Sequence, residues 1–85
     1  MYKVYILLCY NQSFYIGFTN NLKRRLKQHQ RAEVNYTSHL LPIKLVYYEK
    51  YNTKIDALKR EKQIKGWSRQ KKINLIKNGH PNKSS

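Results

Sequence analysis

Acidic residues are scarce in this sequence. Asp and Glu number 4 against 18 Lys and Arg in 85 residues, for a formal net charge of +14. Glu33, Glu49, Asp56 and Glu61 are the whole set. That leaves little material for the clustered carboxylates of a two-metal centre. A single divalent cation could rest on one protein carboxylate, with water and substrate phosphate completing its shell. Cysteine is limited to Cys9, which excludes a disulfide framework and a thiolate zinc cluster. Cys9 lies in an apolar run and reads as a small buried hydrophobe. The longest such run, Val4 to Tyr10, is too short to cross a bilayer. No secretory segment with a cleavage site follows a basic start. The reading is a soluble cytoplasmic protein without a membrane partner.

What is present is charge of one sign with aromatic side chains. Hydrophobic residues make up 40% and aromatics 13%, including 8 tyrosines. That suffices for one small core and for one domain. The sequence pI near 10.1 is the electrostatic footprint of a nucleic-acid binder. An acidic protein partner is the weaker alternative. A membrane surface fits less well, because the aromatics fall in strand-like runs and not on one basic amphipathic helix.

Residues Lys3 to Leu8 and Phe14 to Thr19 are rich in Tyr, Val, Ile and Phe and flank Asn11-Gln12-Ser13. This pattern predicts a β-hairpin. Asn20 and Asn21 can cap a helix running to about Gln30. A polar loop extends from Arg31 to Leu41, and after Pro42 a third strand is expected over Ile43 to Glu49. Thr53 caps a helix from Lys54 to about Lys65, which Gly66 stops. Ser68 caps a last helix ending near Asn78-Gly79, and His80 to Ser85 reads as a frayed tail. The expected fold is α+β in the order ββαβαα, a small sheet flanked by helices, with one domain over residues 1–79 and a tail over 80–85.

Helical geometry separates neighbouring residues. At 100° per residue, Leu22 and Leu26 mark the buried stripe of the first helix. Arg25 and His29 fall beside them, whereas Arg24 falls on the solvent side. A cation at Arg25 must reach water along the stripe's edge or find an anion. On the second helix, Ile55, Ala57, Leu58 and Ile64 mark the apolar face, and Glu61 lies near its middle. A carboxylate buried there needs a cation. Either Glu61 pairs with an internal arginine such as Arg25, or it holds a divalent metal. The outer faces carry Lys59, Arg60, Lys62, Arg69, Lys71, Lys72 and Lys77. Their density without acidic neighbours suits a surface that tracks phosphates. Most tyrosines fit strands that bury a ring and expose a hydroxyl. In cationic surroundings a tyrosine hydroxyl can also act as a general acid or base.

Val4-Tyr5-Ile6 on the first strand and Tyr15-Ile16-Gly17 on the second are similar to the two halves of the GIY-YIG signature, with Lys3-Val4-Tyr5 standing where Gly-Ile-Tyr is written. Arg25 stands ten residues after Tyr15, as in the motif, and His29 follows one helical turn later. Glu61 matches the family's metal-binding glutamate. The run from Arg60 to Arg69 resembles the small stand-alone bacterial branch of that superfamily, uncharacterised protein family 0213. The resemblance spans about Tyr2 to Asn78. It implies a three-stranded antiparallel sheet flanked by helices and phosphodiester hydrolysis with one Mg²⁺ or Mn²⁺. By resemblance, Glu61 ligates the metal and Arg25 stabilises charge on the scissile phosphate. Tyr15 or Tyr5 helps deprotonate the attacking water, His29 orients or relays that proton, and Gly17 allows close approach. The expected substrate is DNA, in branched, nicked or single-stranded form, contacted through Gly17, Lys59, Arg60, Lys62, Arg69 and Lys72. Affinity would come from this basic surface or from a protein partner that supplies targeting. The alternative is a nucleic-acid-binding module that uses the same groove without catalysis.

Overall fold

The computed structural model describes residues 1–78. The tail expected over 80–85 lies outside the described residues, as does Gly79. The elements are β1 (Tyr2–Cys9), β2 (Phe14–Thr19), α1 (Leu22–Gln30), β3 (Ile43–Tyr51), α2 (Lys54–Lys65) and α3 (Arg69–Asn78). They follow the expected order, with β3 running two residues further than the apolar pattern indicated. The strands form one antiparallel sheet in the order β2-β1-β3, so the first strand is central.

Local chemistry sets the element ends. Between β1 and β2, Asn11 Oδ1 accepts from the Ser13 backbone N–H at 3.1 Å. Gln12 takes the left-handed φ of 71° that the turn needs. Asn21 caps α1 by accepting from Arg24 N–H at 3.0 Å, and Thr53 caps α2 by accepting from Asp56 N–H at 3.1 Å. Ser68 Oγ accepts from Lys71 N–H at the start of α3. Helix α2 ends at Gly66 as expected, though with a right-handed φ of −81° that any residue could adopt.

Helix α1 ends without a glycine. Ala32 N–H donates to His29 C=O and Glu33 N–H to Gln28 C=O, the paired bonds of a Schellman stop. Ala32 occupies the left-handed position at φ 61°, where glycine is the usual occupant because a Cβ costs on the order of 1 kcal/mol there. This reversal folds the following loop back onto α1.

Both sheet faces are covered. Val4, Ile6, Ile16 and Tyr47 pack with Ala57 and Ile64 of α2 and with Trp67, Leu75 and Ile76. On the other face, Tyr5, Leu7, Cys9 and Ile43 pack with Leu22, Leu26, Leu40 and Leu41 from α1 and its loop. Strand β3 contributes to both clusters through a bulge. Ile6 pairs with Tyr47 and Leu7 with Leu45, so Val46 is the extra residue. The bulge reverses the alternation. Tyr47 and Tyr51 face α2, whereas Ile43, Leu45 and Tyr48 face α1. Ile55, expected on the apolar face of α2, is 66% exposed. It sits in the first turn, before the helix settles against the sheet through Ala57, Glu61 and Ile64.

Candidate active site

The hairpin register decides whether the two motif tyrosines share a face. Tyr5 pairs with Gly17 and Leu7 with Tyr15, so Tyr5 and Tyr15 are diagonal neighbours on one face. Their ring centroids lie 6.3 Å apart. Gly17 is buried directly across from Tyr5. A Cβ on it would lie 2.7 Å from the Tyr5 hydroxyl oxygen and 3.2 Å from the Tyr15 ring. The close approach at Gly17 is made by the chain's own Tyr5 phenol.

His29 projects from the last turn of α1 into this face and is fully buried. Its ring meets Tyr15 edge-on, with centroids 5.0 Å apart. Tyr5 Oη lies 3.0 Å from Nε2, and Nδ1 lies 2.7 Å from Thr37 Oγ1. The Thr37 hydroxyl donates to the Val34 carbonyl at 3.4 Å, so its oxygen accepts from Nδ1–H. Nε2 is then bare and accepts the Tyr5 O–H. The result is a directed chain from Tyr5 through His29 to Thr37. Burial, joined by the charge of Arg25, lowers the His29 pKa from 6.5 to about 4. The imidazole is thus neutral near pH 7 and able to accept a proton.

Burial likewise drives the Tyr5 phenol well above its ordinary value. Tyr15 and Glu61 act in the same direction and Arg25 opposes them. The cationic surroundings do not lower this tyrosine, because loss of water outweighs Arg25. Tyr5 thus feels the charges of both Arg25 and Glu61, and His29 that of Arg25. Arg25 is half-buried on the sheet side of α1 and Arg24 is exposed, as the helical wheel indicated. The Arg25–Glu61 ion pair considered above is not among the ion pairs of the described residues. Glu61 is buried, and Lys65 approaches its Oε2 at 3.3 Å from a side chain that is itself 54% exposed.

Among the described residues no group of three His, Cys, Asp or Glu side chains gathers to hold a metal. The donor set that fits a cation is Glu61 alone. It is a hard oxygen ligand countered by one solvent-exposed lysine, and it suits a magnesium-sized ion that keeps water and phosphate in its shell.

The expected basic surface divides. Lys59, Lys62 and Arg69 are exposed and Lys72 is half-buried. Arg69 also stacks over Phe14, its guanidinium carbon 4.7 Å from the ring, and donates to the Gln12 carbonyl. Arg60 is corrected. Its Nε and Nη2 each lie 2.9 Å from a Glu49 oxygen, and its guanidinium covers the Trp67 ring. A cation neutralised in this way is not free for phosphate.

Residues 1–74 match the GIY-YIG catalytic domain. The chain belongs to the GIY-YIG family. It is 45% identical over 75 residues to UPF0213 proteins of Staphylococcus aureus strains Mu50 and MW2, covering 87% of this chain and 92% of each relative. The solution NMR structure of a UPF0213 protein from Bacillus halodurans matches with a TM-score of 0.61 and 35% identity, over 96% of this chain and 90% of that one. The observed sheet and helix order is thus that of a GIY-YIG domain.

Two further residues belong to the GIY-YIG face and were not singled out from sequence. Thr37 is fully buried and fixes the His29 tautomer. A threonine in a polar loop carries no periodic signal, and only the left-handed turn at Ala32 brings it back to α1. Tyr36, its neighbour, is 64% exposed and lies against Tyr15 with centroids 5.2 Å apart.

Proposed function

We propose that this GIY-YIG domain is a metal-dependent endonuclease that hydrolyses phosphodiester bonds in DNA. The observation that carries the reading is the Tyr5–His29–Thr37 hydrogen-bond chain, set in one neighbourhood with Tyr15, Arg25 and Glu61. A binding module has no need of a buried neutral imidazole held as a proton acceptor. Glu61 would hold one Mg²⁺ or Mn²⁺, which when bound polarises a phosphoryl oxygen and stabilises the leaving oxygen.

The chain's own residues account for the remaining chemistry. Arg25 is the cation whose charge reaches both Tyr5 and His29, and it neutralises charge that develops on the phosphate. Tyr15, half-buried, orients the attacking water. Tyr5 need not become a free phenolate, which its burial disfavours. The Tyr15 hydroxyl accepts the water's proton, and its own proton passes to the buried Tyr5 oxygen as the Tyr5 proton passes to His29 Nε2. The Nδ1–H bond to Thr37 keeps the ring aligned throughout. After P–O cleavage the leaving oxygen collects a proton from solvent, and His29 returns its proton to solvent back through Tyr5 and Tyr15.

A nuclease assay on labelled duplex, single-stranded, nicked and branched DNA with Mg²⁺ or Mn²⁺ tests the reading. Wild type is expected to cut. Glu61→Ala is expected to lose cutting while binding DNA at least as well, since a negative charge has left the site. Absence of cutting by wild type on every substrate, with salt-sensitive binding intact, would overturn it in favour of a binding module.

A further inference from the structure

Tyr36 is the exposed large aromatic that touches the active-site face. The other large hydrophobics with comparable exposure are Met1, Tyr10 and Ile55, and none has a ring contact with Tyr5, Tyr15 or His29. Exposing a phenol ring to water forfeits burial that a small domain could use. The backbone that carries it is also held in place. Thr37, the next residue, is fully buried and bound to His29, and its backbone N–H donates to Val34 C=O at 3.1 Å. Ser38 Oγ donates to Asn35 C=O at 2.9 Å on the far side. One part of the ring leans on Tyr15 and the rest faces solvent.

An aromatic ring fixed beside a phosphate-handling site, on a chain of charge +14, offers what an unpaired base needs. Its π-face accepts any base, and nearby cations hold the backbone. A base inside a duplex is already stacked on both sides and has no face to give. We propose that Tyr36 is the stacking platform for an unpaired nucleobase flanking the scissile phosphate. The domain would thereby select single-stranded or flapped DNA over continuous duplex. This rests on the nucleic-acid reading above and adds to it the structural feature that is recognised.

The test separates the two. Flap and duplex DNA carrying 2-aminopurine near the junction are titrated with protein in EDTA, so that no cutting occurs. Wild type is expected to quench the unpaired 2-aminopurine and to bind flap more tightly than duplex. Tyr36→Phe keeps the ring and should keep both properties. Tyr36→Ala should lose the quenching and weaken flap binding by about 5- to 150-fold, with duplex binding unchanged. Quenching and flap affinity equal to wild type in Tyr36→Ala would overturn the stacking assignment while leaving the nuclease reading intact. Failure of wild type to bind any DNA at low salt overturns both. Binding without cutting once Mg²⁺ or Mn²⁺ is restored overturns hydrolysis alone, and the stacking result stands on its own readout.

Discussion

His29 couples chemistry to stability at a single residue. Its folded pKa of about 4 lies below the ordinary 6.5, so between those values the unfolded chain takes up a proton that the native protein refuses. Stability from this group is fully present above pH 6.5 and is lost as pH falls toward 4, by on the order of 3 kcal/mol. Urea midpoints measured from pH 7 to 4 should fall in wild type and fall less steeply in His29→Gln. Equal slopes would show that the imidazole is not the titrating group. Gly17 is the other residue on which this face depends, because the Tyr5 ring fills the space a side chain would take. Both were visible in sequence for simple reasons: His29 stands one turn from Arg25 on a well-phased helix, and Gly17 closes a motif on a strand. Thr37 was not, since its role depends on a reversal that an alanine makes.

Among the elements, β3 and α2 are joined by a buried charge. The Glu49 carboxylate accepts from Tyr47, Tyr51 and the Nε and Nη2 of Arg60. Burial alone would raise its pKa, but the hydrogen bonds from Arg60, Tyr47 and Tyr51 outweigh that and hold it below the ordinary value. The Tyr51 phenol is correspondingly pushed up to about 12 by burial and by Glu49. Glu49→Gln leaves Arg60 as an uncompensated, largely buried cation. A loss of about 3–5 kcal/mol in denaturant stability is expected, and retention of wild-type stability would count against this link. A sequence clue existed. Tyr47, Glu49 and Tyr51 alternate along one strand and therefore share a face. It does not by itself point to Arg60, which looks like one more cation on a basic helix, because helix phase alone does not reveal which strand residue lies opposite.

For the whole molecule, the charge available to a polyanion is set by which cations remain unpaired. Lys59, Lys62, Arg69 and Lys72 stand in the basic set, and Arg60 drops out. Removing Lys62 should reduce the slope of log affinity against log salt by about 1. Arg60→Ala should leave the slope unchanged while destabilising the fold, and filter binding across a salt series separates the two. An equal loss of slope in Arg60→Ala would return that residue to the binding surface. Strand and helix order, the caps and the partition of Arg24 from Arg25 were legible because they depend on local pattern. The assignment of cations to internal or external partners was not, because it depends on contacts between elements distant in the chain.

The bulge in β3 also bears on how this fold tolerates lost residues. Val46 is the position at which two residues of β3 oppose one of β1. Its deletion leaves Leu45 and Tyr47 adjacent, still facing opposite sides, with a regular ladder between them. The contact that Val46 makes with the α2-facing cluster is given up. Deletion of any other single residue in the middle of β3 must either be absorbed by closing the bulge or turn half the strand inside out. Val46 is thus a spare position in an otherwise committed register.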